Sequence, residues 1–107
     1  LLDLSPGNFL LFNKICEDNK IDIEGDYLKN LKLLLSVYKK NKDANLINMI
    51  LFLTDYHFYI HEAKRKNNLE KTINDKSFVI KNINEFIKFN LNQTSLINSI
   101  NNRLSNG

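Results

Sequence analysis

His57 and His61 stand four residues apart, flanked by Asp55 and Glu62. On a helix, side chains at i and i+4 meet on one face, so this spacing can offer two imidazoles to one metal ion. The zinc-protease pattern requires a glutamate directly after the first histidine, and Phe58 occupies that place. The chain has no third histidine to complete a site. The pair therefore reads as two half-exposed residues at a helix edge. Cys16 is the sole cysteine, so no internal disulfide can form. A nucleophilic thiol needs a neighbouring base and an activating field. Cys16 has apolar neighbours instead and reads as a buried structural thiol. The three glycines, Gly7, Gly25 and Gly107, are not followed by a Lys-Ser/Thr pair, which excludes the phosphate-binding loop. Asp22, Glu24 and Asp26 cluster at a helix start, where the dipole favours negative charge. No catalytic, cofactor-binding or metal-ligating residue is expected, and the chain does not read as an enzyme.

The elements that carry these residues are all helical. Apolar residues recur at intervals of three and four, with almost no strand punctuation. The first helix is expected over 6–16, opened by Ser5 and Pro6, with Phe9, Phe12, Ile15 and Cys16 on one stripe. The second is expected over 26–40, with an inward seam of Tyr27, Leu28, Leu31, Leu34, Leu35 and Tyr38. The third runs over 44–66 with Asp43 as its cap. Its first half, from Leu46 to Leu53, is apolar nearly all round, which marks an element buried on several sides. Residues 67–75 read as a loop with room for a helical turn. The fourth helix is expected over 76–89, with Val79, Ile83, Phe86 and Ile87 inward. The fifth covers 93–104, capped by Asn92, with Leu96, Ile97, Ile100 and Leu104 on one stripe. The expected architecture is a single all-α bundle of about five helices spanning residues 1–107.

Charge and composition narrow the function classes. The 107 residues carry 15 basic and 12 acidic side chains, a net charge of +3. That is milder than the dense basic face of many nucleic-acid binders. The 46–53 run is too short to cross a bilayer. With one cysteine and no visible secretory signal, a cytoplasmic location is expected.

Two surface candidates remain. Lys64, Arg65 and Lys66, with Lys71 beyond, form a basic patch that can meet phosphates, or simply complement a helix C-terminus. Tyr56, Phe58, Tyr59 and Ile60 occupy nearly consecutive helical positions and cannot all face one core. At least one aromatic must reach the surface or a partner, and aromatics are enriched at interface centres.

Three places in this chain resemble the C-terminal collar domain of the delta-prime subunit of the bacterial DNA polymerase III clamp loader. Ser5-Pro6-Gly7 followed by Leu10 is similar to that family's opening, with Leu4 and Phe9 standing where glycine and alanine are usual. The run Leu46-Ile47 through Ile50-Leu51 to Leu53, passing into aromatic and then basic residues, looks like the family's central collar helix. Asn92 with Leu96, Ile97, Ile100 and Leu104 looks like its last helix. The resemblance implies a non-catalytic oligomerisation domain cut from the C-terminus of a longer chain, in keeping with a start at Leu1. Its expected partners are the collar domains of the gamma/tau and delta subunits, with DNA met only through the complex. A stand-alone helical protein-interaction or DNA-binding module is the alternative.

Overall fold

The computed structural model describes residues 6–64 and 69–105. Among these residues there are five helices and no strand, so the chain is all-α. The helices are α1 (Pro6–Asn19), α2 (Tyr27–Asn41), α3 (Ala44–Lys64), α4 (Leu69–Phe89) and α5 (Gln93–Ser105). The chain divides into two compact units, Leu1–Asp55 and Tyr56–Gly107. The boundary falls inside α3, where the apolar run gives way to the aromatic segment.

In the first unit, α2 buries Tyr27, Leu31, Leu34 and Leu35, the three- and four-residue spacing of one helical face. The first half of α3 buries Leu46, Met49, Ile50 and Leu53. Each fully buried leucine or isoleucine contributes about 1.5–3 kcal/mol relative to exposure. Phe12 of α1 meets Phe52 of α3 edge to face at 5.3 Å between ring centroids. The buried Tyr27 hydroxyl lies 2.7 Å from Thr54 Oγ1. Thr54 Oγ1 donates its own proton to the carbonyl of Ile50 at 2.9 Å, so Tyr27 is the donor to Thr54. Burial pushes the Tyr27 hydroxyl well above the ordinary phenol range, an effect that the bond to Thr54 partly offsets.

The helix ends follow local chemistry. Asp43 caps α3 through Oδ1, which accepts from Asn45 N at 2.9 Å. Asn92 caps α5 through Oδ1, which accepts from Ser95 N at 3.0 Å. Asp22 organises the turn ahead of α2: its Oδ1 accepts from Glu24 N and its carbonyl from Gly25 N. A Cβ at Gly25 would lie 3.1 Å from that carbonyl, which explains the glycine. Asn30 Nδ2, buried in α2, donates to the same carbonyl and ties turn to helix.

Three helices stop at a left-handed residue that is not glycine: Lys20, Lys42 and Asn90, with φ of 55°, 53° and 52°. At α1, Ile21 N donates to the Cys16 carbonyl at 2.8 Å and Lys20 N to that of Glu17 at 3.3 Å, a Schellman closure. This closure carries α1 three residues past the expected end at Cys16 and buries Ile21. At α4, Leu91 N donates to the Phe86 carbonyl at 3.1 Å and closes the helix in the same way.

The main departure from the sequence reading lies at α4, which begins at Leu69 rather than at 76. Its inward stripe is Thr72, Asp75, Val79, Ile83 and Phe86. The spacing is helical throughout, but its first two members are polar, so hydrophobic periodicity alone places a loop there. In the second unit α5 packs on α4 after a three-residue turn, burying Leu96 and Ile100.

Candidate functional site

The aromatic segment of α3 sorts its side chains as helical rotation requires. Phe58 is buried, at 4% exposure, and meets the His57 ring edge to face at 5.2 Å. Tyr56, His57 and Ile60 are half-buried. Tyr59 is 55% exposed and is the aromatic that reaches solvent. Of the four interface candidates, Phe58 therefore packs inward and offers no contact surface. Tyr59 is the accessible centre, with Tyr56 and Ile60 at its margins.

The basic patch is only partly visible. Lys64 closes α3, and Arg65 and Lys66 lie outside the described residues, as do Ser5 and the side chain of His61. Lys71, counted with that patch on sequence, is engaged elsewhere: its ammonium lies 2.7 Å from Asp75 Oδ2. Asp75 Oδ1 accepts from Arg103 Nε of α5 at 2.8 Å. Arg103 also lies over the Phe78 ring, 4.8 Å from its centroid. One buried carboxylate on α4 thus gathers a cation one turn earlier on its own helix and a second from α5. Burial by itself raises the Asp75 carboxyl. The hydrogen bonds from Lys71 and Arg103, and their charges, outweigh it and hold Asp75 below the usual aspartate value.

Sequence reasoning missed this cluster. The signal available was the stripe 72, 75, 79, 83, 86 with Lys71 four residues before Asp75. A buried carboxylate with both oxygens committed to cations braces two helices and has little freedom to act as a base.

Cys16 is half-buried rather than fully buried, and burial raises its thiol pKa, which lowers the thiolate population. Among the described residues no group of three or more His, Cys, Asp or Glu could hold a metal ion. No helix is long and apolar enough to cross a membrane, again among the described residues.

The family-motif positions fall on distinct elements. Pro6 and Gly7 open α1, and Leu10 on that helix is 69% exposed. Asn92 caps α5, Leu96 is buried and Ile97 is half-buried. Comparison with protein-family models, with curated proteins and with solved structures finds no match for this chain.

Proposed function

We propose that this chain is a non-catalytic helical interaction domain and, on its resemblance, the oligomerisation (collar) domain of a DNA polymerase III clamp-loader subunit of the delta-prime type. In that role it holds together the ATP-driven complex that loads the sliding clamp on primed DNA in the cytoplasm. Its partners are the collar domains of the gamma/tau and delta subunits, and it meets DNA only through the complex. The observation that carries the interaction reading is Tyr59, an exposed aromatic in the middle of an otherwise packed aromatic segment. Such a residue combines a large apolar body with a polar tip, the profile of an interface anchor. The clamp-loader assignment is supported by three motif segments that occur in order at α1, α3 and α5.

The test is size-exclusion chromatography with light scattering on this chain mixed with the gamma/tau collar domain of the same organism. Co-elution at a defined stoichiometry is expected, and Tyr59→Ala is expected to weaken it while leaving helicity intact. Unchanged affinity in a folded Tyr59→Ala variant removes Tyr59 from the interface. Two separate monomer peaks, together with tight and salt-sensitive binding to duplex DNA, would favour the stand-alone module instead.

A further inference from the structure

We propose that the outward face of α2 docks on the phosphate backbone of double-stranded DNA, weakly and without regard to sequence. The modest net charge of the chain conceals an uneven distribution. Residues 27–42 hold five of the 15 basic side chains, Lys29, Lys32, Lys39, Lys40 and Lys42, and none of the 12 acidic ones. The remaining residues are net acidic, with ten basic side chains against twelve acidic. α2 buries Tyr27, Asn30, Leu31, Leu34 and Leu35. At about 100° per residue, Lys29, Lys32, Ser36, Lys39 and Lys40 fall on the opposite side, within an arc of about 100°. All five are exposed, and Lys29 and Lys40 stand about 16 Å apart along the axis. The acidic residues nearest in sequence lie beyond the two ends: Asp22, Glu24 and Asp26 before Tyr27, and Asp43 after Lys42. Asp43 Oδ1 accepts from Asn45 N, and Asp22 Oδ1 from Glu24 N. Lys42 lies over the Tyr38 ring, 5.3 Å from its centroid, which leaves Lys29, Lys32, Lys39 and Lys40 as the charged face. The helix dipole favours Lys39 and Lys40 in the last turn but disfavours Lys29 in the first, so it does not account for the whole stripe.

The chemistry of the face selects its occupant. Every exposed residue of α2 is lysine, serine or asparagine. With no exposed aromatic ring, the face cannot stack the unpaired bases of a single strand. Leu28 and Leu33 at its edges are half-buried, so it lacks the apolar anchor by which an amphipathic helix enters a bilayer. It equally lacks the aromatic or apolar centre of a protein interface. Lysine offers a point charge to phosphate, where arginine would offer the planar fork that reads guanine. A duplex carries one negative charge per about 1.7 Å of its axis, so each ammonium along the stripe can meet a phosphate. Four contacts are few, and the binding is weak at physiological salt, unlike the tight binding that would mark a stand-alone module. In the collar reading the face would steady a duplex that the complex already holds, but the contact does not rest on that reading.

Fluorescence anisotropy of a short labelled duplex, titrated with the full chain, tests the proposal. Affinity should fall roughly a hundred-fold between about 50 mM and about 200 mM salt, a log–log slope of about −3.6, and should be the same for two unrelated sequences. Lys32→Gln with Lys40→Gln should halve the slope to about −1.8, with helicity by circular dichroism unchanged. Lys81→Gln with Lys88→Gln, at exposed positions of α4, removes the same net charge and should leave the slope near about −3.6. These readouts are independent of co-elution with the gamma/tau collar domain, so the two readings can fail separately. No binding at about 50 mM salt, or a slope that the α2 variant leaves alone or the α4 variant lowers equally, would overturn the proposal. Tighter binding to the single strand, or to vesicles containing phosphatidylserine, would overturn it as well.

Discussion

Replacing Asp75 by asparagine tests the brace between α4 and α5 most directly. The side chain keeps its shape and loses its charge. In the native chain one oxygen accepts from Lys71 at 2.7 Å and the other from Arg103 at 2.8 Å. An amide can accept from only one of them and turns an N–H₂ donor towards the other cation. A hydrogen bond to a charged group contributes about 1.5–3 kcal/mol, and two are lost or weakened. The Lys71 and Arg103 side chains are 30% and 41% exposed, so both cations recover hydration once released, which lowers the cost. The expected loss is about 2 kcal/mol at neutral pH, or a fall of about 10 °C in Tm. Urea unfolding followed by circular dichroism measures it.

The pH dependence provides the sharper check. Asp75 is held below its ordinary value in the folded chain, and in the unfolded chain it titrates near about 3.9. Around and below that pH the unfolded state binds the extra proton first. The stability that Asp75 contributes is therefore fully present above the unfolded value and is lost as pH falls through the folded one. The difference between the unaltered chain and Asp75→Asn should be flat from neutral pH to about 5 and shrink below about 4. A difference under about 0.5 kcal/mol at neutral pH, or one that stays constant down to pH ~3, would refute the reasoning.

Three further outcomes follow from local geometry. Tyr27→Phe removes the donor to Thr54 but leaves Thr54 bonded to the Ile50 carbonyl, so denaturant unfolding should show a loss of only about 1 kcal/mol. Asn92→Ala removes the side-chain cap of α5 and should cost about 1 kcal/mol by the same assay, with Asn92→Asp close to neutral. Lys20→Gly should raise stability by about 0.5–1 kcal/mol, because lysine pays for the left-handed conformation at the end of α1 and glycine does not. Destabilisation by Lys20→Gly in thermal unfolding would show that the lysine side chain supplies more than its backbone strain costs.

Tyr27, Leu31, Leu34 and Leu35 of the α2 seam, the caps Asp43 and Asn92, and Leu96 and Ile100 of α5 were readable because each rests on a local rule, whereas Leu28, Tyr38, Ile97 and Leu104, expected on the same stripes, are half-buried. One apolar stripe defines a buried helical face, and one side-chain oxygen defines a cap. The sorting of the α3 aromatics was half readable: rotation by about 100° per residue forbids a common face, yet does not say which ring turns outward. The tertiary surroundings decide that Phe58 is buried and Tyr59 exposed. The end of α1 was misjudged for a related reason. Ile21 lies outside the helix, and its burial depends on the Schellman closure, which puts an ordinary lysine in a conformation usually given to glycine.

The error at α4 follows from the chemistry of the brace itself. Thr72 and Asp75 hold inward positions on the same stripe as Val79, Ile83 and Phe86, but a hydropathy reading scores them as solvent-facing. An aspartate can hold such a position only with its charge met, and the second cation comes from Arg103, 28 residues later. No window along the sequence contains both groups together with the helix that joins them. Ile87, expected inward with Val79, Ile83 and Phe86, is only half-buried. Asp75, whose polarity disguised the start of the helix, is the residue that ties α4 to α5 through Arg103.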